Sequence, residues 1–162
     1  AETGHLVIST LHTKNAVQTI SRIIAVFDPS EQEMIRIRLA ESIQAVISQR
    51  LLPTKGRPGR VAACEVMPVT GTIRDCIRDP ARMDEIFDLI EEGHSHYGSQ
   101  TFDQHLMTLV ESDQVEFEVA KAAANNPTDF DLKMNTFGDG VQGEITGSGE
   151  GMADEMSQLF GN

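Results

Sequence analysis

Cysteine is nearly missing from this chain: Cys64 and Cys76 are the only two in 162 residues. Two thiols cannot build a disulfide framework, and their scarcity points to a reducing cytoplasm. No apolar run reaches membrane-spanning length, and no signal-peptide pattern opens the chain. There is no internal repeat. Positive charge is scarce in the second half. Residues 1–82 hold 11 Lys/Arg against 8 Asp/Glu, and residues 83–162 hold 2 against 17, so the net −12 divides into +3 and −15. An acidic half argues against nucleic acid as a direct partner, and its plain reading is a solvated acidic tail.

A phosphate-binding loop is also missing. No G-x-x-x-x-G-K-[ST] occurs, and the lysines, Lys14, Lys55, Lys121 and Lys133, fit no such pattern. No acidic residue closes a hydrophobic strand in the way that would hold Mg²⁺. By itself the chain carries no phosphate cradle.

Hydrophobic residues make up 40% of the chain, enough for a core in one globular domain or part of a larger one. The stretch Gly4-His5-Leu6-Val7-Ile8-Ser9-Thr10-Leu11-His12-Thr13 organises the rest of the chain. Leu6, Val7 and Ile8 do not alternate with polar residues, which predicts a central parallel strand buried on both faces. A complete domain rarely opens on such a strand, so a piece of a longer protein is expected.

Ala16, Ile20, Ile23, Ile24 and Phe27 then fall at helical spacing, stopped by Asp28-Pro29. Ser30 and Glu33 predict a capping box for a second helix with an inner face of Ile35, Leu39, Ile43, Val46 and Ile47. Short strands are predicted around Gln49–Leu52 and over Val61–Met67, joined by the turn-rich, basic link Pro53–Arg60. Everything from Thr70 onward reads as short helices. Thr72–Asp79 places Ile73 and Ile77 on one face, Arg74 and Arg78 on a second, and Asp75 and Asp79 on a third. Asp79-Pro80 predicts an N-cap followed by Pro at the first helical position. Met83, Ile86, Phe87 and Ile90 form the next buried stripe, ended by Gly93. A loop over Gly93–Gln100 precedes a capping box at Thr101 and Gln104, with Phe102, Leu106, Leu109 and Val110 inward. Val115–Ala124 reads as a helix, and Asp129–Met134 adds a turn or two. Beyond Phe137 the chain is acidic and Gly-rich and is expected to be disordered.

Seven residues of strand span on the order of 23 Å, and an odd offset sends two side chains to opposite faces. His5 and His12 are therefore not expected to share one phosphate or metal. His12 falls at the carboxyl end of the strand, where open α/β sheets bind ligands, and His12-Thr13 is a polar pair that can act on one. Structural and functional readings stand level for His12, whereas His5 reads as structural. His94, His96 and His105 have no carboxylate or thiol at a recognised ligand spacing and read as solvated loop histidines, so no metal site is expected. Cys64 and Cys76 read as small core residues. Arg74 and Arg78 form either a solvated helix face or a docking edge.

The run Gly4–Thr13 closely resembles the His box of the secretion-superfamily ATPases, in which this strand follows the Walker B region. The resemblance continues through Ile20-x-Arg22-Ile23, Leu39-Ala40-Glu41-Ser42-Ile43, Val46-Ile47-Ser48-Gln49-Arg50-Leu51 and Gly59-Arg60-Val61-Ala62-Ala63-x-Glu65-Val66-Met67. Thr72-Ile73-Arg74-Asp75-Cys76-Ile77-Arg78-Asp79 is similar to the AIRNLIRE motif of the PilT/PilU-type twitching-motility ATPases, departing from it at Thr72, Asp75, Cys76 and Asp79. Ser99-Gln100-Thr101-Phe102-Asp103-Gln104 is similar to their Met-Gln-Thr-Leu/Phe-Asp-Gln segment. The resemblance covers about residues 1–134. Assembly and type II secretion ATPases usually insert a four-cysteine zinc module where this chain has only Pro53–Arg60, which favours the retraction branch.

This resemblance implies an α/β fold: the end of a RecA-like P-loop ATPase core over residues 1–68, an all-helical subdomain over 69–136, and an acidic tail over 137–162. It implies a hexameric ATPase, using ATP and Mg²⁺, that drives pilus retraction at the cytoplasmic face of the inner membrane against a platform protein. The Walker motifs would precede Ala1, so this portion alone is expected neither to bind nor to hydrolyse ATP. His12 would sense the γ-phosphate side of the nucleotide, His5 would be the more structural His-box residue, and Arg74, Ile77 and Arg78 would serve retraction. The alternatives are a pilus-assembly or type II secretion ATPase, and a non-enzymatic ring or docking module using Thr72–Asp79.

Overall fold

The computed structural model describes Ala1 and residues 3–142, with side chains through residue 136. Residues 1–125 form one compact unit, and residues 126–142 belong to a second.

In the first unit, Asn15 starts helix α1, Ala16–Ile24, by accepting the Gln18 N–H on its carboxamide oxygen at 2.9 Å. Such a cap supplies a partner to a donor that the helix itself leaves open. Ala16, Ile20 and Ile24 are buried on one side of α1. Helix α2, Gln32–Ser42, is less one-sided: Ala40 is buried, Ile35 and Leu39 half-buried, and Met34 and Ile37 exposed.

Strands β1, Ala45–Pro53, and β2, Arg60–Pro68, form an antiparallel hairpin in register from Ala45 opposite Pro68 to Pro53 opposite Arg60. Its inward face carries Val46, Ser48 and Leu52 from β1 and Ala63, Glu65 and Met67 from β2. The outer edge of β2 is bridged by Gln100, whose backbone exchanges hydrogen bonds with Val66 at 2.8 and 2.9 Å.

Helix α3, Gly71–Arg78, is capped by Thr70 and buries Ile73, Cys76 and Ile77. Asp79 ends it and caps a 3₁₀ turn over Pro80–Arg82, accepting the Ala81 N–H at 3.0 Å. Helix α4, Glu85–Glu92, buries Ile86 and Ile90, with Phe87 half-buried. It is followed by the single turn α5, His94–Tyr97. Gly93 lies between them, where a Cβ would stand 2.6 Å from Ser99 Oγ and 2.9 Å from the Leu89 carbonyl. Helix α6, Phe102–Glu111, opens on the Thr101–Gln104 capping box, and α7 spans Phe117–Ala123. One aliphatic core joins Ile20, Val46, Met67, Ile73, Ile77 and Ile86. Full burial of each such side chain contributes about 1.5–3 kcal/mol. In the second unit, α8 spans Pro127–Gln142, with Asp129 and Lys133 paired one turn apart at 3.1 Å.

Several expectations are corrected. Residues 5–13 are not a buried parallel strand: no strand pairs with them among the described residues, and Leu6 and Ile8 are 84% and 85% exposed. A strand's backbone groups need a neighbour, and the hairpin provides none there. Ser30 and Glu33 form no capping box; the N-cap is Glu31, without a side-chain bond. Val46 and Ile47 belong to β1 rather than to α2, which ends at Ser42. The 93–100 loop contains α5, and α7 is shorter than Val115–Ala124. Helix α8 is longer than Asp129–Met134 and continues past Phe137, into the stretch expected to be tail. The remainder of that tail, 143–162, lies outside the described residues.

Candidate functional site

His5 and His12 are exposed and have different neighbours. His5 Nδ1 lies 3.0 Å from the Thr3 hydroxyl. It lines an open cleft of about 650 Å³ between residues 4–9 and the α2–β1 junction, with Leu6, Ile8, Ile43 and Ile47. His12 is not part of that cleft. Its carbonyl accepts from Arg22 Nη1 at 3.0 Å, and its imidazole makes no hydrogen bond among the described residues. Directly after it, Thr13 and Thr19 join hydroxyls at 2.7 Å. The single Thr19 proton goes to the Asn15 carbonyl at 3.0 Å, so Thr13 is the donor. The His12-Thr13 pair is thus tied into the first turn of α1.

Sequence pattern alone did not single out the residue beneath that turn. Glu65, on the inward face of β2, is 2% exposed. Its Oε1 accepts the backbone N–H of Ala16, the first residue of α1, at 2.7 Å and the Ser48 hydroxyl at 3.4 Å. Burial pushes the Glu65 carboxyl up from its ordinary range, against the opposing effects of those two bonds and of the Arg50 charge; Asp103 adds to the rise. Arg50 donates to the Ala123 carbonyl at 2.6 Å and to Asn125 Oδ1 at 2.8 Å, and lies 3.9 Å from the Phe102 ring centroid. Asp103 Oδ1 accepts the Asn125 N–H at 2.8 Å. One signal was available in the sequence: Ala63, Glu65 and Met67 alternate inward, and a carboxylate in such a series needs a donor.

The motif helix α3 divides its residues by environment. Ile77 is fully buried, and its carbonyl accepts from Arg36 Nη1 at 3.2 Å. Arg78 is exposed and pairs with Asp75 at 3.2 Å and Glu41 at 3.6 Å. Arg74 is half-buried, with its Nε buried and unpartnered. The two arginines lie one turn apart but do not share an exposure.

The remaining histidines do not converge. His94 Nδ1 lies 2.7 Å from the Ser99 carbonyl, and His96 Nδ1 is 2.9 Å from the Ser95 hydroxyl. His105 is not a solvated loop residue; it sits half-buried in α6, with Nδ1 accepting the Cys64 N–H at 2.9 Å. Among the described residues no three His, Cys, Asp or Glu side chains gather to hold a metal ion. Cys76 is buried as expected, whereas Cys64 is half-buried.

Residues 1–117 match the family described as Type II/IV secretion system protein. The chain belongs to that family. It is 43% identical over 126 residues to the twitching motility protein of Neisseria gonorrhoeae, an alignment covering 78% of this chain and 33% of that protein. It is 44% identical over 130 residues to the type IV pilus retraction ATPase PilT of Pseudomonas aeruginosa, covering 80% and 37%. The solved structure of the pilus retraction motor PilT with bound ADP superposes with a TM-score of 0.70 at 37% identity, covering 82% of this chain and 36% of that one. The mixed helix-and-sheet fold is therefore shared with this family. The chain spans about a third of the length of the curated relatives it matches. No helix among the described residues is long and apolar enough to cross a membrane.

Proposed function

We propose that this chain is the C-terminal portion of a pilus-retraction ATPase. In this reading residues 1–68 close the RecA-like core and 69–136 form the helical subdomain. The parent works as a homohexamer at the cytoplasmic face of the inner membrane, acting on a platform protein and hydrolysing ATP with Mg²⁺. The observation that carries the reading is the identity of 43–44% with a twitching motility protein and a retraction ATPase across most of this chain.

The residues present do not by themselves fit a whole nucleotide. His12 offers one exposed imidazole, and the Thr13 proton is already given to Thr19. No G-x-x-x-x-G-K-[ST] loop supplies backbone N–H groups for phosphates. ATP and Mg²⁺ therefore enter through the parent alone. His12 serves there on the γ-phosphate side, His5 has the more structural part, and Arg74, Ile77 and Arg78 serve retraction.

One assay series in the intact parent tests both roles. His12→Ala is expected to lower ATP turnover while ATP affinity is kept; equal loss of both overturns the sensing role. Arg74→Ala with Arg78→Ala is expected to impair retraction, measured as twitching, more than turnover. Matched losses there place the motif in the motor core instead.

A further inference from the structure

We infer that Glu65 is the positioning residue for the His12-Thr13 segment. The first N–H groups of a helix have no partner within it and normally turn to water or a cap. In α1, Asn15 takes the Gln18 N–H, and the Ala16 N–H is met by a carboxylate from another element, 49 residues away in sequence. That carboxylate is almost wholly buried, and it accepts from Ala16 and Ser48. A buried acceptor of this kind holds its donor in one place, because losing it leaves both groups unsatisfied.

The geometry has a direct consequence for His12. Residues 5–13 have no strand pairing among the described residues, and the hydrogen bonds around His12 and Thr13 run to α1. Three contacts link this segment to the hairpin through α1: Arg22 holds the His12 carbonyl, Thr19 holds Thr13, and Glu65 holds the start of the helix carrying both. The hairpin face that bears Glu65 is buried, with Ala63 and Met67 on either side at 0% exposure. Glu65 thus sets where His12 stands relative to the hairpin without touching anything His12 touches. Oxygen acceptance, rather than charge, is what this role requires.

This inference rests on the reading of His12 as the phosphate-side residue, and its test separates the two. In the intact parent, amide hydrogen exchange over residues 12–18 is measured beside ATP affinity and turnover for four variants. Glu65→Met fills the site but cannot accept. It is expected to speed exchange at Ala16 up to about tenfold, the equivalent of one lost hydrogen bond. It is also expected to lower turnover by about tenfold with ATP affinity unchanged, the effect of a misplaced group. Glu65→Gln retains an oxygen acceptor and is expected to restore both to within about twofold. Ala16→Pro removes the donor from the opposite side at a first-turn position that tolerates proline, so it reports even if Glu65→Met does not fold. It is expected to reproduce the turnover loss. Folded Glu65→Met with unchanged exchange, failure of Glu65→Gln to rescue, or wild-type turnover in Ala16→Pro each overturns the inference. If His12→Ala, the fourth variant, leaves turnover intact while Glu65→Met speeds exchange, the anchoring stands and only the phosphate-side reading falls.

Discussion

The opening segment 5–13 and helix α3 both carry apolar side chains, yet these sit in opposite environments. Leu6, Val7 and Ile8 are exposed, whereas Ile73, Cys76 and Ile77 are buried. The difference lies in where each backbone finds its partners. A helix satisfies its interior hydrogen bonds within its own segment, so α3 needs only a surface for one stripe, and α2 and the core provide it. An extended segment satisfies its backbone through neighbouring strands, and none is paired with 5–13 among the described residues. Among the described residues, the apolar side chains of α3 thus find their surface within this chain, and those of 5–13 do not.

The largest expected effect that tests this contrast is in the core. Phe102 is fully buried and lies under the Arg50 guanidinium. Phe102→Ala should destabilise by about 3–5 kcal/mol in denaturant unfolding. Ile8→Ala in the same chain should change stability by no more than about 0.5 kcal/mol. Comparable losses would mean that the opening segment is packed after all. A smaller effect is expected at the α4–α5 junction, where Gly93→Ala would press a methyl onto Ser99 Oγ and the Leu89 carbonyl. About 1–3 kcal/mol should be lost there, read from thermal melts.

The smallest effect concerns Glu65. Its folded carboxyl is pushed above the unfolded value, so its contribution to stability is fully present below the unfolded pKa and declines as pH rises through the folded one. Unfolding midpoints should fall more steeply with rising pH in the wild type than in Glu65→Gln, starting from about pH 4–5. Parallel profiles would mean that the side chain does not titrate in the buried position.

Local features were legible in the sequence. The Thr101–Gln104 capping box, the Asp79 cap and the Ile73–Ile77 stripe were visible because each is complete within a few residues. Features depending on distant residues were not. Ile43, Val46 and Ile47 continue the α2 spacing, but β2 draws the last two into a strand. Ser30 and Glu33 have the letters of a capping box, but the helix begins one residue too late to use Ser30 as its cap. At the candidate site, the two histidines could be named but not placed, because the hydrogen bond to the His12 carbonyl comes from Arg22, ten residues on in α1. Glu65 stood out only as one letter of a motif, since its partner Ala16 belongs to another element.

The tip of the hairpin adds a constraint on chain length. Lys55 donates its backbone N–H to the Gln114 carbonyl at 2.8 Å, and its Nζ reaches Asp113 at 2.7 Å and Glu116 at 3.6 Å. Asp113 takes a left-handed backbone, φ 57°, at that turn. The short link Pro53–Arg60, which joins β1 to β2, is therefore also tied to the α6–α7 turn through Lys55. The hairpin tip thus carries a second task, since one lysine there serves a backbone carbonyl and two carboxylates of the turn that leads into α7.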